Sequence, residues 1–366
     1  MIKNSIKILL TSLLSITLLL SGCSSDKEDL SDYDKLDSSY STTSDKINDS
    51  ETGKAEIHFI DTGNSDAILI KEGSDAMLID AGDNDDEDRI VDYLNNNGVE
   101  ELKYVIATHA HADHIGGLDS VIENIKVDRV FISNGDSETK TYRDFVNAMA
   151  EKNLDPSVPL ENKKFYLGKS YFEVFNTNGG SDTNNESLVI LYTCGNSKTL
   201  LMGDAEKEVE YEIINKMPDV DILKLGHHGS STSTTEAFLD KVNPEYTVIL
   251  CGKNNDYGHP HKETIEKLKK RNLKPYRTDE CGNIVFYINE DGIQTDSIPG
   301  DYLTGNKDET ESNTSNSGSI VYWTKNGKVY HSNKNCDGLK NSKSINSGTI
   351  EDSGKERLCK ICEKNK

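Results

Sequence analysis

Thr108-His109-Ala110-His111-Ala112-Asp113-His114 places four metal-capable side chains within six residues, directly after the apolar run Lys103–Thr108. A strand that ends in a tight loop aims alternate side chains at one point. Imidazoles with a carboxylate suit zinc or manganese better than calcium or magnesium. Three histidines this close repel one another when protonated, so a shared core position gives them little purpose. A second set lies near the C-terminus, where His331 and Cys336 precede Cys359-Lys360-Ile361-Cys362. His-x4-Cys followed by Cys-x2-Cys is tetrahedral zinc spacing. The surrounding segment is poor in apolar residues, and a metal would supply stability its core lacks. A disulfide from Cys336 to Cys359 or Cys362 is the alternative. Cys194, Cys251 and Cys281 fall in or beside strand-like runs and are expected to be buried thiols.

The elements that must position the histidine loop alternate along the chain. Short β-rich runs at Ala55–Asp61, Asp66–Lys71 and Ala76–Asp80 are separated by Gly/Asn/Ser turns, as in a meander. Helical patterns follow at 87–97, 118–125, 141–152, 205–217, 235–242 and 261–272. Strand patterns fall at 103–108, 128–133, 171–176, 187–193, 198–203, 221–225, 245–251, 274–278 and 283–289. Two mixed sheets with helices on the outside would bury these runs.

His-x-His-x-Asp-His after a strand resembles the metallo-β-lactamase fold family, which implies an αββα sandwich with two divalent metal ions, Zn2+ or Mn2+. The resemblance spans about residues 55–290. Leu78-Ile79-Asp80-Ala81-Gly82 is similar to the family's upstream strand-end aspartate, and Leu201-Met202-Gly203-Asp204 to the aspartate that bridges both metals. Leu223-Lys224-Leu225-Gly226-His227-His228-Gly229-Ser230 is similar to its late histidine motif. The family's further histidine, between the first cluster and the bridging aspartate, is missing: no histidine lies between His114 and Asp204. That departure resembles the branch formed by the catalytic domain of ComEC-type DNA-uptake proteins. Asn185-Glu186-Ser187-Leu188-Val189-Ile190, the opening hairpin His58–Ile70 and Tyr257-Gly258-His259-Pro260-His261 are similar to the same branch.

The resemblance implies a division of labour. His109 and His111 bind one metal, while Asp113, His114 and one histidine of the late pair bind the second. Asp204 bridges. His227 is the first choice for the late ligand, with His228 the alternative or a substrate contact. Asn185 or Asp182 is a candidate to fill the place of the missing histidine. Asp80 and Asp66 are expected to accept the outer N–H of metal-bound imidazoles, although Asp66 also fits a plain turn. His259, before Pro260 at an expected helix start, is either a donor to a phosphate or leaving oxygen or a simple cap. Ser230 and Asn185 are candidate substrate contacts, and His58 is a structural residue. Water shared between two such cations has its pKa pulled toward neutrality, which supplies a hydroxide nucleophile. Phosphodiester hydrolysis, with DNA as the substrate, is what the branch implies. The competing readings are hydrolysis of a small extracellular phosphoester or cell-wall choline ester, and a non-catalytic binding module that keeps the fold.

Residues 1–23 read as an export signal: Lys3 and Lys7 precede the apolar run Ile8–Leu20, and Leu20-Ser21-Gly22-Cys23 resembles a bacterial lipobox with Cys23 as the lipidated residue. The expected location is therefore outside the cytoplasmic membrane, lipid-anchored or secreted. Residues 24–54 are a Ser/Asp/Thr-rich tether that cannot bury enough surface to order itself. The hydrolase domain spans 55–296, a polar linker 297–318 and the small Cys/His module 319–366. The net charge of −22 is uneven: −21 falls on 55–296 and +5 on 319–366. An acidic body argues against nonspecific grip on nucleic acid. The basic module resembles small Cys-rich modules appended to some ComEC-type proteins and other secreted nucleases, and distantly the Ada-type metal-binding fold. With Tyr322, Trp323 and Tyr330 it is the candidate nucleic-acid contact. No protein partner is inferred. Hydrophobic content of 34% with 28% charged residues excludes a multi-span membrane protein.

Overall fold

The computed structural model describes residues 53–180, 182–305 and, within 321–364, all but 326, 335, 341, 343–344, 349–352, 354 and 356. The export segment with Cys23, nearly all of the tether and residues 306–318 of the linker lie outside the described residues. Among the described residues no helix is long and apolar enough to cross a membrane.

Two seven-stranded sheets stack face to face with helices on both outer faces, the αββα sandwich of the metallo-β-lactamase fold. The first begins with β1 (Ala55–Phe59), β2 (Ala67–Glu72) and β3 (Asp75–Ala81), an antiparallel meander. Then β4 (Glu101–Ala107) and β5 (Lys126–Ile132) continue it in parallel. The second sheet contains β6 (Phe165–Leu167), β7 (Ser170–Phe175), β8 (Val189–Cys194) and β9 (Ser197–Leu201) as antiparallel neighbours. It continues in parallel through β10 (Ile222–Lys224), β11 (Tyr246–Ile249) and β12 (Pro275–Arg277). The chain then returns to the first sheet, where β13 (Ile284–Asn289) pairs with β1 and carries β14 (Gly292–Gln294) at its edge.

Strands that are covered on both faces read as continuous apolar runs rather than alternating ones. In β2, Ile68 and Ile70 face the inter-sheet core, while Ala67 and Leu69 face the helices. Those helices are α1 (Glu87–Asn96), the single turn α2 (Ala112–Ile115), α3 (Leu118–Asn124) and α4 (Lys140–Glu151). On the opposite face, α5 (Lys207–Ile213), α6 (Glu236–Val242) and α7 (Lys262–Lys270) cover the second sheet, and the turn α8 (Thr278–Cys281) leads into β13. Between the sheets, Tyr104, Phe131, Phe165 and Phe172 pack ring on ring. Tyr104 meets Phe172 edge-on at 5.1 Å, and Phe165 stacks on Phe172 at 5.3 Å.

Some local expectations shift. β6 and β14, at three residues each, are too short to show a period-2 pattern. The expected helix over 205–217 is α5 followed by a 3-10 turn, Ile214–Lys216. Residues in the range read as linker are tied to the domain: Gly300 N–H donates to Pro275 O (2.8 Å), and Gly305 N–H to Pro260 O (2.9 Å). The C-terminal segment is organised separately by β15 (Val321–Trp323), β16 (Asn346–Gly348) and α9 (Lys360–Lys364), with β15 antiparallel to β16.

Phe172→Ala is expected to cost about 3–5 kcal/mol, because the ring is fully buried among three other aromatics. Urea unfolding monitored by circular dichroism checks it, and a loss below about 1 kcal/mol would mean this aromatic cluster does not hold the sheets together.

Candidate metal centre

The carboxyl ends of β3, β4, β9, β10 and β11 converge on one cleft, the position where open α/β sheets bind ligands. Asp80, next to the carboxyl end of β3, adopts φ +54°, a backbone region that non-glycine residues rarely occupy. Its carboxylate makes up for this. Oδ1 accepts Thr108 N–H (2.8 Å) and Oδ2 accepts Thr108 Oγ1–H (2.6 Å) and His114 Nδ1–H (2.8 Å). The tight loop after β4 winds into α2, which packs hard against the turn after β3. A Cβ on Gly116 would lie 2.3 Å from the Asn84 nitrogen, so only glycine permits that approach.

The imidazoles share one orientation. In each of His109, His114, His227 and His228, Nδ1 is held by a protein oxygen and Nε2 is left toward Asp204. His109 Nδ1 lies 3.1 Å from Thr108 Oγ1 and 3.2 Å from Ser187 Oγ. His228 Nδ1–H donates to Leu250 O (3.0 Å), and His227 Nδ1–H to Glu206 Oε1 (3.1 Å). Asp204 receives them from two sides. Oδ1 lies 3.2 Å from His114 Nε2 and 3.6 Å from His228 Nε2; Oδ2 lies 3.7 Å from His227 Nε2 and 4.0 Å from His109 Nε2. His109 Nε2 is also 3.0 Å from His111 Nδ1. This is the outer-partner pattern of metal-ligating histidine, which fixes the tautomer that leaves Nε2 as a lone pair.

Asp113, His114, Asp204 and His228 bring one donor atom each within 4.8 Å of one another. Asp204 Oδ1, His114 Nε2 and His228 Nε2 are buried and have no hydrogen-bond partner outside this group. Buried polar atoms left in this state call for a partner, and nitrogen and carboxylate lone pairs aimed at one point fit a divalent cation. This donor set fits a divalent metal ion. It differs from the first choice in one respect: His228, not His227, joins this group. His227 instead faces the other oxygen of Asp204, on the side of His109 and His111. Both backbones have φ +51°, which turns two adjacent side chains to opposite sides of the same carboxylate.

Asp66 behaves as an outer carboxylate with an unforeseen partner. Lys224, fully buried in β10, sets its ammonium on Asp66 Oδ2 and donates to Gly203 O (3.1 Å), while Asp66 Oδ1 lies 3.3 Å from His228 Nδ1. The sequence reading missed Lys224, and also Ser187, whose Oγ accepts Asp204 N–H (3.0 Å). Asn185 does not offer its carboxamide to the cleft: Nδ2–H donates to Asp182 (2.9 Å) and Oδ1 accepts Glu206 N–H (3.1 Å). Ser230 is likewise held in a turn, its Oγ 3.1 Å from Thr232 Oγ1. His259 lies over the late pair, 5.4 Å from the His227 ring and 6.0 Å from the His228 ring, with a buried Nδ1 that has no hydrogen bond. It is not at a helix start, because α7 opens at Lys262 with His261 as its cap. His58 bonds to Tyr93 and Glu56, as a structural residue.

Charge explains the proton affinities of the cleft. Burial pulls His228 down, but the Asp204, Asp113 and Asp66 carboxylates outweigh it and push the group up to about 10. His114 is raised well above the usual imidazole value against the same burial, by Asp204 and Asp80. His109, buried beside His114, is lowered well below that value. Burial and the surrounding imidazoles bring His259 down to about 3.

In the C-terminal module, His331, Cys336, Cys359 and Cys362 are buried and bring their donor atoms within 4.8 Å of one another. Cys336 and Cys359 sulfurs are 4.0 Å apart, twice a disulfide bond length, and Cys362 Sγ is 3.9 Å from His331 Nδ1. The four converge because Tyr330 pairs with Leu358, which lays the two halves of the set side by side. Trp323 packs inward and is not open to a nucleic acid, while Tyr322 and Tyr330 are half-buried. Among the described residues, the remaining thiols Cys194 and Cys251 are buried and Cys281 is half-buried.

Residues 60–253 match the family model of the metallo-β-lactamase superfamily. The chain belongs to that superfamily. It is 32% identical over 226 residues to ComE operon protein 3 of Bacillus subtilis, covering 60% of this chain and 29% of that protein. It is 26% identical over 252 residues to the competence protein ComA of Neisseria gonorrhoeae, covering 67% of this chain and 34% of that protein. The chain thus spans about a third of these curated relatives. Among solved structures, the metallo-β-lactamase fold protein YhfI from Bacillus subtilis covers 64% of this chain at 12% identity and a TM-score of 0.45.

A divalent cation entering the Asp113/His114/Asp204/His228 group must displace the protons that His114 and His228 carry in the metal-free protein. Apparent affinity for Zn2+ or Mn2+ is therefore expected to rise with pH below about 10, by roughly tenfold per unit for each proton displaced. Calorimetric titration at several pH values checks this, and a flat affinity between about pH 6 and 8 would refute it.

Proposed function

We propose that this chain is a two-metal phosphodiesterase that hydrolyses DNA, exported and held at the membrane surface by a lipid on Cys23. The observation that carries the hydrolytic centre is Asp204, with each carboxylate oxygen faced by a different pair of imidazoles. Membership of the superfamily supports the hydrolase class. The competence relatives, matched over about a third of their length, support DNA as the substrate.

On this reading His109, His111, His227 and Asp204 would hold one cation, and Asp113, His114, His228 and Asp204 the second. Zn2+ or Mn2+ bound there supplies the charge that ionises water and offsets negative charge building on a phosphoryl group. The chain's own residues do the rest. Asp80 and Glu206 fix the tautomers of His114 and His227, so that each presents a lone pair. Lys224 keeps Asp66 ionised and holds it against His228. His259 is neutral at working pH and stands over the pair, placed to donate a hydrogen bond to a phosphate or leaving oxygen. Hydrolysis of a small phosphoester is the second reading, favoured by the −21 charge of the domain, which repels a polyanion.

The C-terminal Cys3His set is proposed to hold one structural zinc, since thiolates select zinc over manganese. Its +5 segment offsets the acidic domain for a nucleic-acid strand.

Asp204→Ala is expected to lower hydrolysis of both linear DNA and bis-p-nitrophenyl phosphate by more than about a hundredfold, the loss that outer partners of metal ligands can already cause. Undiminished activity in this variant would place the chemistry elsewhere, and turnover of the small diester alone would favour the second reading. In the full chain, Cys359→Ser with Cys362→Ser is expected to remove one equivalent of zinc. It should also weaken DNA binding more than turnover of the small diester. Unchanged zinc content by elemental analysis would overturn the structural-zinc assignment.

A further inference from the structure

Tyr257 lies in the loop between β11 and α7, and its side chain is 70% exposed. Its ring is nearly parallel to that of His259, at 16° and 5.6 Å between centroids. His259 in turn lies 6.0 Å from His228 at an angle of 25°. Three rings therefore form a ladder from a donor of the metal centre outward into solvent. The outermost rung has His259 beside it and most of its surface open to water.

The loop that carries Tyr257 is fixed. Asn255 Oδ1 accepts His259 N–H (3.0 Å), and its Nδ2–H donates to His259 O (2.6 Å) and Gly252 O (2.9 Å). His261 Nε2–H donates to Tyr257 O (3.1 Å), while its Nδ1 accepts Ser231 N–H (2.9 Å). Gly258 supplies the positive φ, +76°, that turns the chain between the two rings. From behind, Gly305 packs so closely that a Cβ there would lie 2.0 Å from His259 O. An exposed aromatic ring on a loop whose backbone is fixed by this many bonds, beside the metal centre, is preorganised for a flat apolar partner.

We propose that Tyr257 is a stacking platform for the base next to the scissile phosphate, which makes an unpaired strand the substrate of this centre. The inference rests on the phosphodiester reading above. A nucleobase offers a π-face of the right size whatever its identity, whereas a base inside a duplex has both faces covered by its neighbours. A quaternary ammonium group is recognised by several aromatic faces arranged as a cage, and a single open ring does not provide one. Stacking would also draw the strand across His259, bringing the adjacent phosphate over the late histidine pair.

Two ten-nucleotide strands with identical phosphates test the assignment, one of thymidine and one of abasic tetrahydrofuran units. Each is offered to metal-loaded wild type, Tyr257→Ala and Tyr257→Phe, with metal content measured in every sample. Wild type is expected to favour the thymidine strand in kcat/KM by about tenfold or more, the scale of one base stack, chiefly through KM. The preference should fall toward unity in Tyr257→Ala and persist in Tyr257→Phe. Pairing the thymidine strand with its complement should slow cleavage by wild type. The same preference in Tyr257→Ala as in wild type would overturn the platform, as would an equal loss on both strands, which marks Tyr257 as a prop for His259. Wild type that cleaves bis-p-nitrophenyl phosphate but neither strand would overturn the nucleic-acid reading itself. Cleavage of both strands at equal rates would overturn base stacking alone.

Discussion

Four carboxylates crowd one cleft, and the rest of the centre is arranged around their charge. Asp66, Asp80 and Asp204 are almost without solvent, and Asp113 closes the same space. Carboxylates buried together repel, and each is costly to ionise away from water. Lys224 contributes a single ammonium, seated on Asp66. The metal-free chain finds further positive charge by holding protons on His114 and His228 against strong burial. Those protons occupy the lone pairs that a divalent ion would take. The demand for cations thus precedes any question of substrate.

That demand also explains why the ligands come from both sheets. The histidine loop and Asp80 lie at the ends of β4 and β3, while Asp204, the late pair and His259 follow β9, β10 and β11. The first sheet supplies Asp66, Asp80 and Asp113 and the second supplies Asp204 and Lys224, so neither alone carries the whole set. The inter-sheet core, with its four packed aromatic rings, sets the spacing at which the halves meet.

Much of this was legible in the sequence because the decisive residues sit at strand ends. The family resemblance placed Asp80 and Asp204 at their strand ends, while the His109–His114 loop follows an apolar run and could be placed from its own residues. The division of His227 from His228 could not. Adjacent residues in one motif look equivalent, and only the left-handed backbone at both sends them to opposite oxygens of Asp204. Lys224 reads as an ordinary strand lysine until Asp66, far away in sequence, is seen against it. Asn185 looked available for substrate, but hydrogen bonds to Asp182 and to the more distant Glu206 engage both ends of its carboxamide. The Lys224–Asp66 and Asn185–Glu206 contacts depend on tertiary approach, which residue type and spacing do not encode.

The return of β13 to the first sheet has a consequence for how the domain is made. β1 pairs on one side with β2, its immediate successor, and on the other with β13, nearly the whole domain later. Until that last strand emerges from the ribosome, one edge of β1 keeps its amides and carbonyls unpaired. Ile57 and Phe59 also wait for Ile284 and Phe286 to cover them. A nascent chain halted before residue 284 would present an open, sticky border of the kind that recruits chaperones or seeds aggregates. Pairing across so long a loop is also slow, so closure of the sandwich belongs to the finished polypeptide rather than to its early half.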